Sequence, residues 1–265
     1  MAFIQCNFFA SSLGMCVSAN VVLPQGAGAG QIGGGGSAVQ RRRTPVLYLL
    51  HGLSDDHTIW MRRTSIERYA DRFGIAVVMP CGNRSFYTNN LDGMRFWDYI
   101  SEELPARMVE FFNISDRRED TFAAGLSMGG YGALRLGLKR PDRFAAVAGL
   151  SAAIDMDKIV PQVLGPANCR NCFGDGPLSG NDFDPFFLAE KAKESGIVLP
   201  EIFLACGTED FLYPANLRFH EELQRLGYDH NWISAPGNHT WEFWDEQILA
   251  VLDWLPLKQA DSRDA

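Results

Sequence analysis

The chain has 265 residues, 46% of them hydrophobic and 21% charged, which is typical of a globular protein with one large domain or two small ones. Its formal net charge of -8 argues against a nucleic acid or an anionic membrane as partner. No run approaches the ~18 apolar residues that a membrane-spanning helix needs, and the first residues lack the basic and apolar regions of a secretory signal. We therefore expect a cytoplasmic protein, and a single domain over residues 1–265 because no segment has the composition of a domain linker.

The N-terminal part predicts two strands, at residues 2–10 and 15–23, joined by a short turn. They are expected to form an antiparallel hairpin. The segment at about 25–44 is rich in glycine and predicts a flexible loop. It lacks the G-x-x-x-x-G-K-[ST] pattern and no helix follows it, so we interpret it as a tolerated insertion rather than a phosphate-binding loop.

From residue 45 onward, short apolar runs alternate with helix-forming segments. The predicted strands are 46–52, 75–80, 121–125, 144–151, 201–207 and 230–236. The predicted helices are 64–73, 96–112, 127–139, 215–226 and 241–254. This alternation predicts an α/β protein with a mostly parallel sheet and helices on both faces. Residues 152–190 break the alternation, and we expect them to form a small irregular cap over the strand ends.

Two of the six cysteines form a C-x-x-C motif, Cys169 and Cys172. A zinc site would need a second ligand pair of matching spacing, which the sequence lacks. The position between Pro166 and Gly174 favours an ordinary loop, with a local disulfide or metal and redox chemistry as the alternatives. We expect no metal and no cofactor.

The stretch Gly125-Leu126-Ser127-Met128-Gly129 fits the motif G-x-S-x-G, between a predicted strand and a predicted helix. That context is the one required for a nucleophile elbow, in which a tight turn presents the serine hydroxyl above the sheet. An ordinary glycine-rich turn with an N-capping serine is the alternative. The elbow predicts Ser127 as a nucleophile at a helix N-terminus, where unpaired N–H groups favour negative charge.

A serine nucleophile needs a base, and the base needs a carboxylate. Of the five histidines, His239 is the best candidate because it lies in the loop between the last strand and the last helix. Asp210, after the strand at 201–207, is preferred as its partner over the adjacent Glu209 and over Asp182 and Asp184 in the cap. The chain order Ser, Asp, His is that of the α/β-hydrolase fold.

The oxyanion formed during acyl transfer needs two backbone donors. We assign them to the N–H groups of Met128, directly after the nucleophile, and of Leu53, in the loop after the first central strand. His57 in the same loop is a candidate for lining the site. His51 is expected to shape this loop, and His220 and His230 are expected to be structural.

Six segments together resemble the tributyrin esterase family, in the esterase D and S-formylglutathione hydrolase-like branch of the α/β-hydrolases. They are YLLHGLSDDHTIW, IAVVMP, SEELPARM, AGLSMGGYGALRLGL, CGTEDFLY and GNHTWEFW. The resemblance implies a carboxylesterase for short-chain acyl esters, with a Ser127, Asp210 and His239 triad and a small-molecule ester as its substrate. It also suggests a homo-oligomer, a dimer or tetramer, and aryl or hydroxycinnamoyl esters as further substrates. Trp97, Trp241 and Trp244 are candidates for the substrate pocket, although aromatic residues in helical segments are more often part of the core.

Three alternatives share these motifs. The same machinery would serve a thioesterase acting on S-formylglutathione, or an acyltransferase in which an alcohol replaces water. A non-catalytic binding module on the same fold is disfavoured because all three triad residues are present.

Overall fold

One sheet of eight strands organises the chain. The computed structural model describes residues 1–25 and 43–257. The strands are β1 (Ala2–Ala10), β2 (Met15–Leu23), β3 (Val46–Leu50), β4 (Ala76–Pro80), β5 (Thr121–Leu126), β6 (Ala146–Leu150), β7 (Glu201–Gly207) and β8 (His230–Ala235). Their order across the sheet is β1-β2-β4-β3-β5-β6-β7-β8.

The sheet is mixed, as predicted. β1 and β2 form an antiparallel hairpin, and β2 pairs antiparallel with β4. All other pairings are parallel, from β4–β3 through β7–β8. Because β3, β4, β5 and β6 are buried along their whole length, their sequences are continuous apolar runs without alternation.

Ten helices connect or flank these strands in the described ranges. They are α1 (Ile59–Arg63), α2 (Ile66–Phe73), α3 (Phe96–Asp98), α4 (Leu104–Phe111), α5 (Met128–Lys139), α6 (Ile159–Leu164), α7 (Pro166–Phe173), α8 (Pro185–Glu194), α9 (Tyr213–Arg225) and α10 (Trp241–Trp254). A π-helical turn, Tyr99–Glu103, joins α3 to α4, so the helix predicted at 96–112 is nearly continuous. None of the described helices is long and apolar enough to cross a membrane.

The helices cover both faces of the sheet and enclose two apolar cores. One core contains buried residues of α4, α5, α8 and α9, including Met108, Leu134 and Phe219. The other contains residues of α1, α2 and α10, including Trp60 and Ile248. This three-layer arrangement is the α/β-hydrolase fold that the sequence predicts. It brings the carboxyl ends of β5, β7 and β8 to one edge of the sheet.

The cap segment is more regular than predicted. Residues 152–190 contain α6, α7 and the start of α8, where an irregular cap is expected from the sequence. The interpretation of Cys169 and Cys172 as loop residues is therefore wrong, since both lie in α7. All six cysteines lie in the described ranges and are free.

Contacts outside the segment explain why α7 forms. Asn171 accepts from the Leu91 N–H at 2.8 Å through its backbone and from the Asp92 N–H at 3.0 Å through its side chain. The Thr88 hydroxyl donates to the Cys172 carbonyl at 2.6 Å. The glycine-rich stretch predicted at about 25–44 lies outside the described residues, apart from its two ends.

Candidate active site

Ser127 occupies a strained turn between β5 and α5. Its backbone has φ 53° and ψ -116°, a region that side-chain-bearing residues rarely adopt. Three backbone hydrogen bonds hold it there: the Ser127 N–H donates to Leu150 at 2.9 Å, and its carbonyl accepts from Tyr131 and Ala153, each at 3.0 Å. The turn therefore has the geometry of a nucleophile elbow.

Glycine is required on both sides of Ser127 because other backbone atoms lie too close to allow a side chain. A Cβ on Gly125 would lie 2.4 Å from the Gly129 carbonyl carbon, and one on Gly129 would lie 2.3 Å from the Leu50 oxygen. Real Cβ atoms do not approach backbone atoms so closely, so the turn excludes any side chain at both positions. The G-x-S-x-G spacing in the sequence is thus a packing requirement at this point.

His239 and Asp210 meet in the loops after β8 and β7. The His239 Nδ1 lies 2.8 Å from the Asp210 Oδ2. The Asp210 side chain is fully buried and that of His239 is 22% exposed. The other Asp210 oxygen accepts from the Leu212 N–H at 2.9 Å, which fixes the carboxylate at the start of α9. A buried acceptor of this kind orients the imidazole with Nδ1 protonated and leaves Nε2 as a base.

The other acidic candidates have structural contacts. Glu209 accepts from the Gly237 N–H at 2.5 Å and so joins the loops that carry Asp210 and His239. Asp184 accepts from the Phe186 N–H and caps α8. Asp182 pairs with Lys139 at 2.6 Å. These contacts leave Asp210 as the carboxylate at the imidazole.

A small apolar cavity opens beside Ser127. Its volume is about 20 Å³, and it is partly open to solvent. Its lining combines Ser127 with eight apolar residues, which are Leu53, Phe86, Ala153, Ile159, Val160, Val163, Phe211 and Leu212. Phe211 also contacts His239, with ring centroids 4.8 Å apart. Phe211 therefore links the cavity that holds Ser127 to the imidazole of His239.

The two residues proposed as oxyanion donors lie on different segments. Leu53 is part of the cavity wall. Met128 is the first residue of α5, where backbone N–H groups have no partner within the helix. A buried histidine supports the Leu53 loop from behind, because the His51 Nδ1 lies 2.7 Å from the Gly52 oxygen and its Nε2 accepts from the Gly82 N–H at 2.8 Å.

The remaining predicted pocket residues lie away from the cavity wall. The Trp97 ring lies under the Arg135 guanidinium at 4.4 Å. Trp244 meets His239 edge to face at 4.7 Å and donates to the Ser151 hydroxyl, and Trp241 packs on Trp244. His57 is half-buried in the loop that follows β3. A part for these four residues in substrate binding stays a prediction.

Sequence reasoning missed several residues that build the site. The helix α6 contributes Ile159, Val160 and Val163 to the cavity, although the sequence indicated only a cap. Asn216 of α9 is fully buried: it accepts from the Ala152 N–H at 3.1 Å and donates to the Ala152 and Leu212 carbonyls, each at 2.9 Å. A polar residue on the apolar face of a predicted helix was the available signal for Asn216.

No three His, Cys, Asp or Glu side chains gather as a metal site anywhere in residues 1–25 and 43–257.

The chain matches the Esterase family model over residues 12–255. The chain belongs to the Esterase family. As a member of this family it hydrolyses carboxylic esters, and it lies in the esterase D and S-formylglutathione hydrolase-like branch.

Three relatives of this esterase show the likeness in detail. An acetyl esterase of Caldicellulosiruptor saccharolyticus is 33% identical over 96% of this chain and 98% of its own. The fluorophosphonate-binding serine hydrolase F of Staphylococcus aureus superposes with a TM-score of 0.86 at 32% identity, over 97% and 99% of the two chains. The S-formylglutathione hydrolase of Staphylococcus aureus gives 0.83 at 32% identity, over 96% and 98%.

Proposed function

We propose that this esterase is a serine carboxylesterase for short-chain acyl esters, with Ser127, His239 and Asp210 as its catalytic triad. The observation that carries the proposal is the 2.8 Å contact between His239 and the buried Asp210, next to a cavity that contains Ser127 in an elbow. The acetyl esterase activity named for the Caldicellulosiruptor relative supports the substrate class.

The proposed mechanism is acyl transfer in two steps. His239 takes the Ser127 proton as the hydroxyl oxygen attacks the ester carbonyl, and the Asp210 carboxylate stabilises the resulting imidazolium. The N–H groups of Leu53 and Met128 bind the oxyanion of the tetrahedral intermediate. The alcohol leaves with a proton from His239. Water, activated by the same imidazole, then attacks the acyl-enzyme and releases the acid.

The cavity supports a short acyl chain. All of its walls except Ser127 are apolar, and α6 closes it on one side through Ile159, Val160 and Val163. Each buried methylene contributes about 0.8 kcal/mol only while it fits, and it clashes once the cavity is full. A volume of about 20 Å³ leaves room for few carbons before the walls must move, which favours acetyl to butyryl groups over long chains.

Hydrolysis of S-formylglutathione is the second candidate, favoured by the likeness to the staphylococcal S-formylglutathione hydrolase. The triad would act on the thioester without change, since both reactions pass through an acyl-serine. Comparison of kcat/KM for S-formylglutathione with that for 4-nitrophenyl acetate distinguishes the two substrate classes. Aryl and hydroxycinnamoyl esters belong in the same comparison.

The variant Ser127→Ala tests the assignment. We expect 4-nitrophenyl acetate hydrolysis to fall to the background rate and labelling by a fluorophosphonate probe to vanish, because no other nucleophile is proposed. Ser18→Ala on β2, where the hydroxyl donates to Asn7 and does not line the cavity, is the matched control and should keep both. Substantial turnover by a folded Ser127→Ala protein would refute the nucleophile.

Two further properties stay proposals. We place the esterase in the cytoplasm and expect a homo-oligomer, a dimer or tetramer, as the sequence resemblance suggests. Light scattering coupled to gel filtration measures the assembly directly. A mass equal to one chain at micromolar concentration would contradict it.

A further inference from the structure

The loop after β3 places a carboxyl group beside the nucleophile. A Cβ built on Gly52 would lie 3.1 Å from the Asp55 Oδ2 and 3.8 Å from the Ser127 Cβ. The Asp55 carboxyl and the Ser127 side chain therefore both adjoin Gly52. Asp55 is only partly exposed, so its charge is incompletely screened by solvent.

Three charged groups act on this carboxyl. Burial raises the pKa of Asp55, and the neighbouring Asp56 charge raises it further. A hydrogen bond from the Gly52 backbone, the Arg63 guanidinium of α1 and the His239 imidazole lower it. The His239 imidazole has the smallest of these effects, and the position of Asp55 at the site follows from its closeness to Gly52 and Ser127.

The site thus has two unlike halves. The cavity beside Ser127 is apolar and suits the acyl chain. Asp55 is not among its lining residues, yet its carboxyl lies close to Ser127 across Gly52. In the proposed mechanism the alcohol must leave past His239, because that residue protonates it. An ester with its acyl chain in the cavity therefore directs its alcohol away from the apolar walls, and Asp55 is a charged side chain next to Ser127 outside those walls.

We infer that Asp55 is a specificity-determining residue that favours alcohols with a hydroxyl donor or a positive charge close to the ester oxygen and disfavours anionic alcohols. The carboxylate accepts a hydrogen bond from the hydroxyl or attracts the cation, and it repels an anion. This inference rests on the proposed function of Ser127 and His239. It also disfavours an anionic thiol such as glutathione as the natural leaving group.

The size of the effect follows from Coulomb's law. The interaction energy of two unit charges about 7 Å apart at a partly hydrated site changes a rate by roughly three- to tenfold. The carboxylate attracts a cationic alcohol and repels an anionic one. Removal of the Asp55 charge should therefore change the ratio of kcat/KM for the cationic ester to that for the anionic ester by about tenfold or more.

The test uses acetate esters of three small alcohols that differ mainly in charge: choline, ethylene glycol and isethionate, followed by acid release in a pH-stat. We expect the wild type to favour the choline and glycol esters over the isethionate ester. In Asp55→Asn the choline-to-isethionate ratio should fall about tenfold. Asp56→Asn is the matched control, because the Asp56 carboxylate is held by the Thr58 N–H at 2.8 Å and the Thr58 hydroxyl at 2.6 Å.

A ratio that changes equally in both variants, or in neither, overturns the inference. If Asp55→Asn does not fold, the wild type supplies an independent measurement: the ratio should fall as NaCl rises from 20 to 500 mM, since salt screens the charge. A salt-independent ratio overturns the inference too. Absence of turnover of all three esters together with absence of fluorophosphonate labelling would instead refute the proposed function.

Discussion

The buried imidazole of His51 predicts that the esterase loses stability as the pH falls below neutral. The ring is 1% exposed. Its Nε2 accepts from the Gly82 N–H, and its Nδ1 contacts the Gly52 carbonyl and must donate to it. One ring nitrogen is therefore an acceptor and the other a donor, as in the neutral imidazole. A proton on Nε2 would break the bond to Gly82 and bury a charge.

Burial is the main reason that the pKa of His51 is lowered, to about 4, against 6.5 for an exposed ring. The Gly52 carbonyl and the Asp56 charge oppose this shift, and His57 adds to it. Between these two pH values the unfolded chain binds the proton and the folded protein does not. The stabilising contribution is therefore complete above pH 6.5 and is lost progressively down to about pH 4. The difference between the two pKa values corresponds to roughly 3 kcal/mol of unfolding free energy.

The assay compares urea unfolding of the wild type and of His51→Gln at steps from pH 8 to pH 4. At pH 8 the variant should be less stable, because glutamine can accept from the Gly82 N–H but cannot also reproduce the bond to the Gly52 carbonyl and the packing of the ring. The difference in unfolding free energy between wild type and variant should shrink by roughly 3 kcal/mol at pH 4, because the wild type loses stability on protonation of His51 and glutamine has no proton to gain. NMR titration of the imidazole reads the pKa directly. A constant difference, or a measured His51 pKa near 6.5, would refute the reasoning.

Three further predictions follow from the site. Asn216→Ala should lower the free energy of unfolding by about 2–4 kcal/mol in a denaturant titration, because it leaves a buried backbone N–H unpaired. The control Asn231→Ala, at an exposed position of β8, should change the free energy little, and equal effects of the two variants would contradict the prediction. Asp210→Asn should lower kcat for 4-nitrophenyl acetate by roughly 10⁴-fold with the fold retained, and a loss below tenfold would exclude its proposed role. Ile159→Ala should enlarge the cavity and so raise several-fold the ratio of kcat/KM for hexanoate esters to that for acetate esters. Ile197→Ala, at an exposed position, should leave this ratio unchanged. An unchanged ratio in both variants would place the acyl chain elsewhere.

Features with a local cause were predictable from the sequence. The apolar runs that form β3 and β5 are continuous because both faces of those strands are covered. The helix predicted at 241–254 has the same bounds in the structure. The turn at Ser127 was also predictable, because Gly125 meets the backbone of Gly129 and Gly129 meets the end of β3, which imposes glycine at both positions. In each case burial or close packing restricts residues that are neighbours in the chain, so it leaves a short pattern that can be recognised in the sequence.

Features that depend on distant contacts were not predictable. The helix that carries Cys169 and Cys172 was expected to be a loop, and it is held by hydrogen bonds to the segment near residue 90. Nothing in the spacing of Asp55 indicated that its carboxyl would adjoin Ser127, 72 positions further along the chain. The sequence by itself determined the order of the layers and the candidate nucleophile, base and acid. Only tertiary packing decided what surrounds them, because the walls of the cavity come from six separate segments of the chain that no local pattern relates.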